Sequence, residues 1–190
     1  MGGVDKGLQM LDGTPLARHA LRRLAPQVAT AMVSANRHAD TYAGWGVPVF
    51  ADADATGFDG PLAGLLAGLR HSALPWLAAV PCDTPFFPQD LVARLANAAT
   101  AADAPAACAW APDAADGTWR PQPVFCLLHR SLQADLAAYL AGGGRRVMEW
   151  LGRHGCAQAR FDDAVAFRNA NTAEDLAALQ AAARLQLYFR

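Results

Sequence analysis

The residues best suited to chemistry come in short groups rich in glycine, proline and carboxylates. Met1-Gly2-Gly3-Val4-Asp5-Lys6-Gly7 sets a lysine inside a glycine-rich turn. Glycines let a backbone approach an anion closely and turn its N–H groups inward, and the lysine adds a mobile point charge. That combination suits a phosphate ester such as a nucleotide. Pro81-Cys82-Asp83-Thr84-Pro85 places an aspartate directly after a short apolar run. A carboxylate there can hold Mg²⁺, a hard cation that prefers oxygen ligands and commonly bridges substrate phosphates. It can equally cap the helix that follows.

Gly60-Pro61-Leu62-Ala63-Gly64 opens a helix, where free backbone N–H groups can receive a base or phosphate, or where proline and glycines simply serve helix packing. Arg145-Arg146, after three glycines, can clamp a second anion bidentately or stand as a solvated helix start. In Asn169-Ala170-Asn171 alternate residues face the same way, so both amides can read a heterocycle, or the segment can turn into the cap at Thr172. The five histidines show no H-x-x-x-H or H-E-x-x-H spacing, and no G-x-S-x-G elbow exists, which lowers histidine-metal and hydrolase readings.

The elements that must position these groups alternate between strand and helix. Thr14-Pro15 before Leu16, Ala20, Leu21 and Leu24 predicts an N-cap, a proline at the first helical position and an apolar stripe. Residues 28–34, 47–50, 76–80, 106–111 and 124–128 read as strands, the first three ending near Asn36, Asp52 and Asp83. Helices are expected from Pro61, from about Pro88 to Ala99, from a Ser131 cap through Leu140, from Arg145-Arg146 toward His154, and after Thr172. Residues 119–123, Trp-Arg-Pro-Gln-Pro, read as a loop. The pattern predicts an α/β, Rossmann-like three-layer sandwich with a mostly parallel central sheet, in which ligands sit beyond the carboxyl ends of the strands.

At 190 residues one domain over 1–190 is expected. Sixteen Lys+Arg against 17 Asp+Glu give a formal charge of -1, so neither nucleic acid nor an anionic membrane surface is expected as a partner. No apolar run is long enough to span a bilayer, and no secretory signal pattern opens the chain, so a cytoplasmic location is expected. Cys82, Cys108, Cys126 and Cys156 form no C-x-x-C pair and read as buried thiols.

In order along nearly the whole chain, M-G-G-V-D-K-G, Asn36-Arg37-His38, Asp52, G-P-L-A-G, P-C-D-T-P, R-R-V-M and N-A-N-T resemble the molybdenum cofactor guanylyltransferases, the MobA family. The resemblance implies a nucleotidyltransferase fold and transfer of GMP from GTP to molybdenum-loaded molybdopterin, giving the guanine dinucleotide cofactor and pyrophosphate, with Mg²⁺ required. It implies that Lys6 and Asp83 are catalytic, with Lys6 on a GTP phosphate and Asp83 holding Mg²⁺. Ser34, Asn36, Asp52, Gly60 and Gly64 complete the nucleotide set, and Arg146, Asn169 and Asn171 fall on the pterin side. A molybdoenzyme apoprotein or its chaperone is the implied recipient of the product.

Two departures qualify the match. Ser34 stands where the family often has the first asparagine of N-A-N-R, and its hydroxyl can still donate or accept one bond. The family also has a strand and an L-A-G-G-x-x-x-R loop just upstream of the methionine that is Met1 here. A native start upstream of Met1 is therefore expected, since loss of a central strand would leave buried backbone groups unpaired at about 1–3 kcal/mol each. Alternatives are a cytidylyltransferase, a sugar-phosphate nucleotidyltransferase, or a non-catalytic pterin-binding and cofactor-delivery protein.

Overall fold

A computed structural model describes residues 5–51 and 60–170, together with 175 and 177. The expectations for Asp52, Asn171 and the Thr172 cap lie outside the described residues. Asp5 caps a 3₁₀ turn at Lys6–Leu8, its side chain accepting from the Gly7 N–H. Strands β1 (Met10–Leu11) and β2 (Thr14–Pro15) then form a tight hairpin. Its turn residues Asp12 and Gly13 both have positive φ, 47° and 73°, the arrangement whose twist matches paired strands. Thr14 and Pro15 are therefore strand residues rather than the start of a helix. Helix α1 (Leu16–Leu24) begins just after them.

The chain continues through β3 (Val33–Ser34), α2 (Ala39–Ala43), β4 (Val49–Phe50) and α3 (Pro61–His71). Strands β3 and β4 pair in parallel and are shorter than the apolar runs that foretell them. Next come β5 (Trp76–Ala79), α4 (Leu91–Ala101), β6 (Ala106–Pro112), β7 (Trp119–His129), α5 (Gln133–Ala141), α6 (Val147–Gly152) and β8 (Ala157–Arg160). The start of α5 differs from the Ser131 expectation: a 3₁₀ turn at Arg130–Leu132 precedes it, and the His129 side chain accepts from the Ser131 N–H.

Strands β5, β7, β6 and β8 form a sheet in that order. Strand β7 runs antiparallel to both neighbours and β8 runs parallel to β6, so three of the four strands share one direction. The segment expected as a loop, 119–123, belongs to β7. Two prolines are tolerated there because β5 pairs only with residues 126–129 of β7, leaving the proline end with a partner on one side. A bulge accommodates them further: Cys108 lies opposite Cys126 but Ala109 lies opposite Gln122.

Alternation along β6 builds a core on each face of this sheet. Ala107, Ala109 and Ala111 pack with Leu91 and Leu95 of α4 and with Phe161. Ala106 and Cys108 pack with α3, α5 and α6 through residues such as Leu66, Leu136 and Trp150. Helix, sheet and helix thus form the expected three layers. Among the described residues β5 is laddered on one edge only, by β7, and β3 likewise by β4. Between them lies a largely apolar cavity of about 430 Å³, bordered by Met32, Ser34, Gly64, Leu77 and Ala79.

Candidate active site

The lysine turn and the end of β5 converge. Lys6 opens the 3₁₀ turn, Asp83 follows β5 through Pro81 and Cys82, and Lys6 Nζ stands 3.6 Å from Asp83 Oδ2. The lysine side chain is about half exposed and that of Asp83 is mostly covered. Helix α4 starts at Leu91 with Asp90 in the cap position, so Asp83 does not serve as its cap.

The segment around Asp83 is fixed from behind. Thr84 is fully buried and donates from Oγ1 to Asn169 Oδ1 at 2.7 Å, while the Ala170 N–H donates to the Asp83 carbonyl at 2.8 Å. Asn169 therefore belongs to the neighbourhood of Asp83.

Asp5, which sequence reasoning did not single out, is the most heavily bonded carboxylate near the pair. Its Oδ1 accepts from the Gly7 N–H at 3.0 Å and from the Tyr42 hydroxyl at 2.8 Å, and Oδ2 meets His38 Nδ1 at 3.1 Å. Tyr42 is buried, and burial first, then the bond to Asp5, raises its phenol pKa. It remains a donor. His38 holds a left-handed conformation, φ 53° and ψ 32°, at the entry to α2. Such a backbone in a non-glycine residue needs surrounding support. An aspartate followed two residues later by a backbone N–H is a legible capping signal; His38 was read only as part of the Asn36-Arg37-His38 group, with no role of its own, and nothing in the sequence pointed to Tyr42.

Ser34 and Asn36 border a cavity of about 290 Å³ together with Asp5, Tyr42 and Cys82. This brings the end of β3 to the lysine turn and the Asp83 turn. Cys82 corrects the expectation of buried thiols: it keeps an exposed surface. Crowding by protein, then the Asp83 and Asp5 carboxylates, pushes its thiol up to about 11. Cys108 and Cys126 are buried as expected, and Cys156 is half-buried.

Other expected site residues stand apart. Gly60 is the residue before α3, with φ 118°, and an added Cβ there would meet nothing within 4 Å among the described residues. Backbone conformation, not crowding, calls for glycine. Gly64 borders the apolar cavity beside β5 rather than the polar one, and among the described members of the expected set Ser34 borders both. Arg146 precedes α6 and lines a separate concavity of about 570 Å³ with Arg145, Glu149 and Arg153. Arg145 is turned onto its own loop, donating to the carbonyls of Leu140 and Gly144.

Among the described residues no group of three His, Cys, Asp or Glu side chains forms a metal cage. A lone, mostly covered carboxylate beside a lysine nevertheless fits Mg²⁺, which keeps several waters and takes one or two carboxylates plus substrate phosphates.

A layered α/β sheet with polar groups gathered beyond its strand ends is the nucleotidyltransferase type of fold. Molybdopterin-guanine dinucleotide biosynthesis protein A from Archaeoglobus fulgidus superposes with a TM-score of 0.75 at 20% identity, over 96% of this chain and 92% of that one. The 2-C-methyl-D-erythritol 4-phosphate cytidylyltransferase from Thermus thermophilus gives 0.73 at 19%, over 94% of each chain.

The sequence narrows the class. Residues 1–159 match the model of the MobA-like NTP transferase domain. A molybdenum cofactor guanylyltransferase of Methylibium petroleiphilum is 53% identical over 95% of this chain and 89% of its own length. One of Burkholderia orbicola is 56% identical over 94% and 88%. The chain belongs to the MobA-like nucleotidyltransferase family, among the molybdenum cofactor guanylyltransferases.

Proposed function

We propose that the chain transfers GMP from GTP to molybdenum-loaded molybdopterin, releasing pyrophosphate. The observation that carries this reading is the Lys6–Asp83 pair, which gathers a phosphate-binding cation and a metal-binding carboxylate at one strand end. The names and identities of the relatives support the guanine and molybdopterin parts.

On this reading no protein nucleophile is needed. The terminal phosphate oxygen of the pterin attacks the α-phosphorus of GTP; that P–O bond forms as the bond to the β-phosphate bridge breaks, and pyrophosphate leaves with its electron pair. Lys6 holds a phosphate oxygen and keeps the triphosphate aligned. Asp83 would hold Mg²⁺, which supplies charge neutralisation on the phosphates when bound. Ser34 and Asn36 face the nucleoside across the cavity they share with Asp5. Asp52, Gly60 and Gly64 belong to the nucleotide side, and Arg146, Asn169 and Asn171 to the pterin side. Asn169, held by Thr84, carries the acceptor toward Asp83. A cytoplasmic location, and delivery of the product to a molybdoenzyme apoprotein or its chaperone, are parts of the same proposal.

Incubating the chain with Mg²⁺, molybdenum-loaded molybdopterin and either GTP or CTP tests this. Guanine dinucleotide and pyrophosphate are expected with GTP. Product from CTP alone would reassign the nucleotide, and pterin binding without turnover of either would leave a delivery protein instead.

A further inference from the structure

The three bonds converging on Asp5 tie the lysine turn to α2 and to the segment that follows β3. Through Gly7 the carboxylate fixes the backbone carrying Lys6; through Tyr42 it reaches α2; through His38 it reaches the segment that carries Asn36 away from β3. Its side chain is only 18% exposed. The fit around it is tight: a Cβ on Gly7 would lie 2.5 Å from the Tyr42 hydroxyl and 3.2 Å from the Ala17 Cβ. Tyr42 is braced in turn by edge-on contact with Trp45 at 4.9 Å.

A carboxylate already engaged by three protein donors has little acceptor capacity left for a metal. We propose that Asp5 is a positioning residue, which sets Lys6 in register with the Ser34–Asn36 side of the nucleotide site through its bonds to Gly7, Tyr42 and His38. It acts through the lysine. The inference rests on the proposed nucleotide role of Lys6. A long lysine side chain has several rotatable bonds, so its phosphate contact depends on where its backbone is anchored. Without Asp5 the turn loses its cap and its ties to α2 and the β3 end together.

The test compares Asp5→Ala, Lys6→Ala and the double variant in the full chain, reading equilibrium affinity for GTP, the KM for each substrate and thermal stability. Asp5→Ala is expected to weaken GTP about tenfold or more while the KM for the pterin acceptor stays within about twofold. In the Lys6→Ala background the same change should cost less than about twofold, because coupled residues are non-additive. Equal penalties with and without Lys6, or an equal rise in both KM values, would overturn the inference. Tyr42→Phe, which removes one donor and spares the cap, should shift GTP affinity in the same direction by a smaller factor; no shift would also overturn it. If Lys6→Ala itself leaves GTP binding intact, the functional reading fails instead.

Discussion

Lys6 Nζ and Asp83 Oδ2 lie 3.6 Å apart although 77 residues separate them in the chain. On the proposed function the pair is poised before substrate arrives, Lys6 for a phosphate and Asp83 for Mg²⁺. A half-exposed ion pair contributes only about 0–1 kcal/mol to stability. Little stability is therefore expected to depend on the pair.

Lys6→Ala and Asp83→Asn are accordingly expected to leave the unfolding midpoint nearly unchanged while lowering kcat/KM by about 10²-fold or more, the usual cost of losing one preorganised charge contact in a transition state. Asp83→Asn should also remove the response of activity to Mg²⁺ concentration. Steady-state kinetics beside a thermal melt checks both. Loss of stability matching the loss of activity would make the pair structural.

Cys82 is exposed and next to Asp83, but its surroundings disfavour the thiolate that a nucleophile requires. With its thiol pushed up to about 11 by desolvation and by the Asp83 and Asp5 carboxylates, only about a thousandth of it is thiolate at a pH near 8. Alkylation with iodoacetamide at that pH should run far more slowly than for a free cysteine. Cys82→Ala should retain activity. Rapid labelling with loss of turnover would contradict the geometry.

Asp135 ties α5 to α6 and gives stability a pH dependence. Its Oδ1 accepts from Trp150 Nε1 at 2.8 Å and meets His154 Nε2 at 2.8 Å, while Trp150 is fully buried. The Trp150 bond first, then the His154 bond, hold the carboxyl below its ordinary 3.8. A depressed folded value means the charged form is favoured by folding, so the contribution is present above the unfolded value and lost as pH falls through the folded one. Asp135→Ala should lower stability only modestly near neutral pH, because the half-exposed position of the carboxylate lets water reach the freed indole N–H. Urea unfolding at two pH values should find this gap narrowed in acid; a gap that widens there would refute the assignment.

Much of this was legible because local chemistry and long-range structure agreed. Proline at the start of α3, the apolar run ending before Asp83 and the glycines after α5 each report a backbone requirement that any context would impose. The failures have physical causes as well. Thr14-Pro15 satisfies the rules for a helix start, but the Asp12-Gly13 turn folds it back onto Leu11 first. The prolines of β7 look like loop residues until β5 is seen to stop short of them. Ser34, Asn36, Lys6 and Asp83 were singled out by type and motif, and the fold brings Ser34 and Asn36 to one cavity and Lys6 to Asp83; Tyr42 was not singled out, and His38 only as a neighbour of Asn36. Their roles arise from which segments α2 meets across the fold, and no spacing in the chain encodes that.

Thr84 ties the Asp83 turn to Asn169, a residue the proposed function puts on the pterin side. Thr84 has no exposed surface, so its hydroxyl has only the protein to bond, and it donates to the exposed Asn169 at 2.7 Å. Thr84→Val keeps the shape and removes the donor. The freed Asn169 amide can turn to water, so stability should fall by only about 1 kcal/mol, the net worth of one hydrogen bond. The kinetic consequence is expected to be larger and one-sided. With Asn169 no longer held, the KM for the pterin acceptor should rise about fivefold to tenfold while that for GTP changes little, because Lys6 and Asp5 remain anchored through their own contacts. Asn169→Ala should reproduce the acceptor effect, and combining it with Thr84→Val should add little. An acceptor KM unmoved by either change would remove Asn169 from the pterin side and leave its bond to Thr84 as a brace for the Asp83 turn alone.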